Sequence, residues 1–308
     1  MLLTKPDHSC RRIVSVGMFD GVHEGHRALI HALLSHAARL DLTPAAVTFR
    51  SHPRHIVKPG LRVAMLMSLD ERVEKLMQCG VTDVILLDFD ENTRMMSARE
   101  FMAMLRDRYN VEAIVMGFNN RFGHDRPEGL DAYRTIGDTL GMKIFSAPEY
   151  RSNTAANVSS SAVRKHLAAC DVEKAAILLG HPYRLSGKVV HGKELGRTIG
   201  FPTANIEPLD SDSVIPGNGV YAVMVHTPDG VDRPGMLNIG HRPTVDSPYA
   251  PPSIEVNIFD YDADLYDKPV AIDFIAFMRH ELAFDSIDGL RRQLEADREQ
   301  ARRICSGC

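Results

Sequence analysis

Two histidines flank a glutamate and a glycine in His23-Glu24-Gly25-His26, and the run Gly17-Met18-Phe19-Asp20-Gly21-Val22 leads into them. Imidazole N–H groups donate hydrogen bonds to phosphate oxygens, and Gly25 lets backbone approach the same ligand. Such donors stabilise charge on a phosphorus in transit without a covalent enzyme intermediate. The plainer alternative is a pair of surface histidines in a turn. Zinc is the weaker reading, because no third ligand is evident. A second donor set lies in Gly192-Lys193-Glu194-Leu195-Gly196-Arg197-Thr198-Ile199-Gly200-Phe201-Pro202-Thr203-Ala204-Asn205. The glycines free the backbone near phosphates, and Pro202 stiffens the approach. The Thr203 hydroxyl and the Asn205 amide oxygen are hard neutral donors suited to a Mg²⁺ ion that shares phosphate oxygens. No Gly-Lys-Ser/Thr follows the glycines, so this is not a Walker loop. On these residues alone, a Gly/Pro loop between strands remains the alternative.

The elements that must hold these groups differ between the two halves. Ile13–Val16, Ala45–Phe49, Val81–Phe89, Val111–Met116 and Lys143–Phe145 read as strands. Between them, Arg27–Leu40 and Leu130–Leu140 carry apolar residues at helical spacing, and capping boxes at Ser68–Glu71 and Ser97–Glu100 open two further helices. Strands alternating with helices imply right-handed crossovers and a doubly wound parallel α/β sheet. The first histidine motif then falls between the first strand and the first helix, where phosphates collect. Helices are expected at Ser161–Ala169 and Val172–Leu179, and the texture changes after Gly180. Arg184–Val190, Val220–His226, Gly235–Ile239, Ile254–Phe259 and Val270–Phe277 are short strands separated by turns, which predicts an antiparallel barrel or sandwich. A last helix, Ile287–Arg303, places Ile287, Leu290 and Leu294 on one face. The expected boundary lies near residue 182, giving domains 1–182 and 183–308.

Composition narrows the function classes. The 308 residues are 44% hydrophobic and 25% charged, with a net charge of −4, which excludes a disordered or fibrous chain. Lys/Arg and Asp/Glu number 23 and 21 over residues 1–180, and 13 and 19 over 181–308. Neither half is basic enough to bind nucleic acid through bulk electrostatics, so phosphate chemistry must come from local sites. No run approaches the roughly 18 consecutive apolar residues of a membrane span. Met1–Arg12 lacks a hydrophobic signal core, and a cytoplasmic protein is expected. The five cysteines read as reduced thiols. Cys305 and Cys308 have C-x-x-C spacing without a second ligand pair, and Ser306-Gly307 is not the aliphatic pair that prenylation prefers. Met65, Met67, Met95, Met96, Met102 and Met104 read as core packing. Asp260–Asp264 reads as a hairpin turn, since it lacks the glycine and closing glutamate of a calcium loop. Oligomeric state is left open.

The Gly-x-Phe-Asp-Gly-Val-His-x-Gly-His run at residues 17–26 resembles the nucleotidylyltransferase superfamily, and within it the bacterial bifunctional riboflavin kinase/FAD synthetases. Thr48-Phe49 through His52-Pro53, Gly117 through Gly123, and Val158-Ser159-Ser160-Ser161-Ala162-Val163-Arg164 agree in order. Gly-Arg-x-x-Gly-Phe-Pro-Thr-Ala-Asn at residues 196–205 is similar to the riboflavin kinase signature. Gly219-Val220-Tyr221, Asn238 through Thr244, Glu255 and Phe277 through Phe284 follow it. The resemblance runs from about Val14 to Leu294.

By that resemblance, the second half is a six-stranded barrel that transfers the γ-phosphate of ATP to the ribityl 5′-hydroxyl of riboflavin. The first half joins the resulting FMN to the adenylyl group of ATP, forming FAD and releasing pyrophosphate. The resemblance implies that Glu255 is the kinase base and that Thr203 and Asn205 bind Mg²⁺–ATP. Gly192, Lys193, Gly196, Arg197, Gly200 and Pro202 would complete the kinase ATP site. His23 and His26 would stabilise the moving adenylyl group, and Arg164 the departing pyrophosphate. Gly17, Phe19, Asp20, Gly117, Ser159, Ser160 and Ser161 would contact that ATP, with the serines and Arg164 on its outer phosphates. His52, Pro53, Asn119, Arg121 and Phe122 are the implied flavin contacts of the first half, and Arg242 and Arg279 those of the second. Met18 stands where many relatives carry Asn or Thr, and Asn119-Asn120 where an acidic–aromatic pair is common. On spacing alone, Glu255 is an outward strand carboxylate and Arg279 a surface salt-bridge partner. A monofunctional enzyme with one domain degenerate, or a non-catalytic flavin-binding protein, are the rival readings. Small-molecule substrates are the only partners implied.

Overall fold

A computed structural model describes residues 1–53, 63–117, 120–150, 158–192, 199–240 and 252–307. The chain packs as two compact units, residues 1–63 with 69–159, and residues 64–68 with 160–308.

The first unit is a parallel sheet with helices. Its strands are β1 (Leu2–Leu3), β2 (Arg12–Val16), β3 (Thr43–Phe49), β4 (Asp83–Leu87), β5 (Val111–Met116) and β6 (Lys143–Ser146). They lie in the order β1-β4-β3-β2-β5-β6, and every neighbouring pair is parallel. The helices are α1 (Glu24–Leu40), α2 (Leu69–Gln78), α3 (Glu91–Met95), α4 (Ala98–Tyr109) and α5 (Gly129–Leu140). Every residue of β2 is buried, as a strand covered on both faces requires. The capping box expected at Ser97–Glu100 opens α4, while Gly141 ends α5 in the left-handed region that suits glycine. From β2 the chain steps outward through β3 to β4, then returns to place β5 on the other flank of β2. That reversal opens a crevice at the carboxyl ends of β2 and β5, the place where such sheets bind ligands. Two-residue β1 had no legible sequence signal.

The second unit contains α6 (Ser160–Ala168), α7 (Val172–Leu179) and a closed barrel. Its strands are β7 (Tyr183–Val190), β8 (Ala204–Pro208), β9 (Gly219–His226), β10 (Asp232–Gly240), β11 (Ser253–Ile258) and β12 (Pro269–Arg279). All pairings around the ring β10-β11-β8-β7-β12-β9 are antiparallel. Alternate residues of β7 point inward, and Tyr183, Tyr221, Phe274 and Phe277 meet in a chain of ring contacts. In packing, α6 and α7 go with the barrel, so the division falls between residues 159 and 160. The sixth strand, β8, lies in the stretch that residue pattern alone treats as a loop.

Helix α8 (Ile287–Cys305) follows the barrel and shows a second difference. Its buried residues are Asp297, Ala301 and Cys305, with Leu294 packed beside them, whereas Ile287 is 67% exposed. The apolar face expected to start at Ile287 therefore begins a turn and more later. The reason is polar: Asp297, 1% exposed, is the counter-ion of Arg279. The Cys305 thiol is buried and faces the Val223 carbonyl, so it serves as core. Of the methionines, Met65, Met67 and Met102 are buried and Met96 and Met104 pack on the core, while Met95 is exposed.

Candidate active sites

In the first unit, the turn from β2 into α1 is held from below. The Met18 carbonyl accepts hydrogen bonds from Thr48 Oγ1 at 3.0 Å and from an Arg72 terminal nitrogen at 3.0 Å. The other terminal nitrogen of Arg72 donates to the Phe49 carbonyl at 2.8 Å. Arg72 projects from α2, is 1% exposed, and has its pKa lowered by burial, with Asp20 acting in the opposite direction. One buried cation thus ties the loop after β2 to the end of β3. At Met18 the backbone carbonyl is the anchoring group, and the side chain packs on the core.

The same turn contains three left-handed residues, Phe19 (φ 53°), Gly21 (φ 86°) and Val22 (φ 38°). For a β-branched valine this conformation costs about 1–3 kcal/mol. Complete burial of Phe19 and Val22 offsets it. The strain delivers the chain to His23, which caps α1: its Nδ1 accepts the His26 backbone N–H at 3.2 Å. In the neutral ring, that bond leaves the proton on Nε2. Gly25 lies close under this ring: a Cβ there would stand 3.2 Å from it, and the His23 ring would have to give by a few tenths of an ångström. The His26 ring stacks on His23 with centroids 3.7 Å apart and planes 12° from parallel, and Phe19 meets His26 edge-on at 5.2 Å.

Burial, with His23 adding to it, holds His26 well below the usual histidine pKa. The ring is neutral at pH 7, and its Nδ1 is buried with no hydrogen-bond partner among the described residues. Below a pH of about 6.5 the unfolded chain takes up a proton that the folded His26 refuses. Stability is therefore lost as pH falls through that value and is unaffected above it. Thermal melting from pH 8 to 5.5 should show a smaller acid-side drop for His26→Gln than for the parent protein; equal drops would contradict this account.

The described residues after β5 stand at the same strand ends. Gly117 closes the strand, its carbonyl accepts the Asn120 N–H at 3.0 Å, and the Asn120 amide donates to the Val16 carbonyl at the end of β2. Asn120 thus joins the two strand ends. Phe122 is committed to packing: its ring lies 5.3 Å from Phe101 and 4.8 Å from Tyr133, and the Tyr133 hydroxyl bonds its backbone. Arg121 is exposed beside it, and His52 and Pro53 follow β3 in a half-buried turn. Ser159 ends the first unit; Ser160, Ser161 and Arg164 lie on α6 of the second, where Arg164 Nε donates to the Ala64 carbonyl at 2.6 Å. Asn119 lies outside the described residues.

In the second unit, the ladder brings the expected kinase groups together. Glu255 on β11 is the direct cross-strand partner of Asn205 on β8 and of Asn238 on β10. Directly opposed residues share a face, so Asn205, Glu255 and Asn238 form one polar row. Just before β8, the Thr203 hydroxyl donates to Glu255 Oε2 at 3.3 Å. Asn257 secures the approach by donating to the Pro202 carbonyl at 2.6 Å.

Gly192 lies against the row: a Cβ there would come within 1.9 Å of Asn205 Nδ2. Gly192→Ala should displace the Asn205 amide and cut FMN formation about a hundredfold, the scale of an ångström-level misplacement. FAD formation from supplied FMN should be unchanged in the same protein, and normal FMN formation would refute the role given to Gly192. Gly200 has φ 84°, a left-handed position with open space around it. Lys193, Gly196, Arg197 and Arg242 lie outside the described residues.

Arg279 is held by an ion pair. Nε and a terminal nitrogen bond Asp297, the closest contact being 2.6 Å, and the other terminal nitrogen donates to the His280 carbonyl. The Asp260–Asp264 stretch does more than turn the chain. Its residues 261–264, with Tyr266, Thr203, Pro202 and Val256, line a cavity of about 350 Å³, and Tyr266 stacks on His191 with centroids 3.8 Å apart. Tyr261 and Tyr266 were not singled out by motif; two aromatics bracketing an acidic turn were the available signal.

The donors fit a Mg²⁺ ion. This ion takes one or two protein oxygens and completes its octahedron with substrate phosphates and water. Thr203 Oγ1, which lines that cavity, the Asn205 amide oxygen and the nearby Glu255 carboxylate are hard oxygen donors. Among the described residues, no group of three His, Cys, Asp or Glu side chains could hold a metal.

Two family models match consecutive parts of the chain: FAD synthetase over residues 5–162 and riboflavin kinase over residues 179–305. Together with a parallel sheet and a closed barrel, they define a two-part nucleotide-dependent transferase. The bifunctional riboflavin kinase/FMN adenylyltransferase of Escherichia coli (strain K12) is 36% identical over 298 residues, covering 96% of this chain and 93% of the relative. That of Bacillus subtilis (strain 168) is 33% identical, covering 99% and 97%. A crystal structure described as a macrolide-efflux protein from Streptococcus pneumoniae has a TM-score of 0.89 at 31% identity, covering 98% of both chains. The chain belongs to the bifunctional riboflavin kinase/FMN adenylyltransferase family. It is a transferase of flavin nucleotide synthesis, with the kinase in its C-terminal region and the adenylyltransferase in its N-terminal region.

Proposed function

We propose that each activity is carried by the residue set described above, with the functional division near residue 182. In the kinase, the ribityl 5′-hydroxyl of riboflavin attacks the γ-phosphorus of ATP. Glu255 accepts the hydroxyl proton as the new O–P bond forms and the bond to ADP breaks. Thr203 and Asn205 would hold Mg²⁺, whose charge neutralises the crowded phosphate oxygens when bound. The pairing of Glu255 with Asn205 and its contact with Thr203 support this reading, because a carboxylate able to take a proton then lies beside hard neutral oxygen donors.

In the adenylyltransferase, a phosphate oxygen of FMN attacks the α-phosphorus of ATP, and pyrophosphate leaves. The N–H groups of His23 and His26 meet the charge that builds on the equatorial oxygens, and the backbone of Gly17–Val22 positions the nucleotide. Gly117, Ser159–Ser161 and Arg164 enter as ATP contacts, and His52, Pro53 and Arg121 as flavin contacts, on the strength of their motifs.

No helix among the described residues is long and apolar enough to cross a membrane. A cytoplasmic setting, where ATP and free flavins meet, goes with this reading, and small-molecule substrates are the partners it requires. The test is turnover with Mg–ATP and either riboflavin or FMN, with all three flavins separated. FMN from the first and FAD from the second are expected. Only one product would establish a monofunctional enzyme, and flavin binding without turnover a non-catalytic protein.

A further inference from the structure

The polar row across β8, β11 and β10 extends one residue beyond the groups used so far. Asn238 stands directly opposite Glu255, one strand spacing away, about 4.8 Å in a β-ladder. Its Nδ2 donates to Glu281 Oε1 at 3.1 Å. A carboxylate only accepts hydrogen bonds, so this contact fixes the amide with nitrogen towards Glu281 and oxygen away from it. Glu281 is itself seated: its carboxylate lies over Gly240, where a Cβ would stand 2.1 Å from Oε1. Glu281 follows β12, which borders β9, whereas Glu255 lies on β11, on the opposite side of β10. With its nitrogen held towards Glu281, the Asn238 amide leaves its oxygen as the atom free to face the Glu255 side of β10 among the described residues. An oriented acceptor beside the base calls for donors on the molecule being phosphorylated.

We propose that Asn238 is a specificity-determining residue of the kinase, its amide oxygen accepting hydrogen bonds from secondary hydroxyls of the ribityl chain while the terminal hydroxyl lies at Glu255. This rests on the role of Glu255 given above. The chain then crosses the strands, and the polyol is read one strand away from the reacting oxygen. A site built to bond a hydroxyl rejects an analogue that lacks it, because the acceptor is left unpaired.

The test compares riboflavin with a flavin whose ribityl chain is replaced by 5-hydroxypentyl, which keeps only the terminal hydroxyl. In Asn238→Ala, KM for riboflavin should rise about five- to tenfold, the worth of one hydrogen bond, while kcat changes little. KM for the hydroxypentyl flavin should stay at the parent value. Glu281→Gln, which no longer dictates the amide orientation, should raise KM for riboflavin by a smaller factor. Turnover of the hydroxypentyl flavin at the parent rate in the same samples reports that the barrel is folded. Equal losses with both flavins, or no change with riboflavin, would overturn the proposal. Glu255→Gln run alongside separates the two ideas: undiminished FMN formation in that variant defeats the role of Glu255, whatever Asn238 shows.

Discussion

Glu255→Gln is expected to lower FMN formation by about 10²–10⁴-fold, the usual worth of a positioned base, and to leave FAD formation from supplied FMN at the parent rate. Glutamine keeps the size of the side chain and an oxygen that the Thr203 hydroxyl can reach. The ladder pairing with Asn205 and Asn238 is a backbone property and survives. What the substitution removes is the capacity to take a proton. The loss should therefore appear in kcat, with KM for both substrates little altered. Loss of both activities would mean that the variant unfolds or that the division of labour is wrong. Glu255→Ala, which also deletes the acceptor for Thr203, should be at least as severe.

The second large effect falls on the other reaction. His26→Ala should cut FAD formation by about 10²–10³-fold, the range for removing one donor aimed at developing charge, so that FMN accumulates when riboflavin and ATP are supplied. His26 is the cleaner target of the two histidines. His23 caps α1 through Nδ1, so His23→Ala removes a donor and also costs about 0.5–2 kcal/mol of helix stability. In His26→Ala the cap survives, because His23 accepts the backbone N–H of residue 26 and not its ring. Donors that act on the transition state should move kcat more than KM for FMN. A variant that forms FAD at the parent rate would remove His26 from the chemistry.

Much of this arrangement was readable from residue order, because each motif sits where a local element must begin or end. His23-x-Gly25-His26 follows a buried strand and opens a helix, and Ser97 with Glu100 closes a capping box. The unread parts share a cause: they depend on partners distant in sequence. β8 has one buried residue, Ile206, and ends at Pro208, too little for a period of two to register. Arg72 occupies a core position between Leu69 and Leu76 of α2, yet a cation there reads as solvent-facing until two backbone carbonyls are found to receive it. Asp297 breaks the apolar stripe of α8 for Arg279 in the same way. The acidic turn at residues 260–264 looked like punctuation, and its part in a cavity shows only when β8 and β11 are paired.

The closed ring of strands also governs which changes of chain length this enzyme tolerates. In a sheet with free edges, a strand that gains a residue can slide and re-pair; in a barrel each strand has a neighbour on both sides. One codon inserted into β11 ahead of Glu255 would turn that carboxylate to the opposite face and bring Val256 outward. The proposed base and metal donors would part company without any of them having been replaced. Drift in length among descendants of this sequence should therefore collect in the turns, and reading-frame-preserving insertions within β8, β10 and β11 should be purged as strictly as substitutions of Glu255 itself.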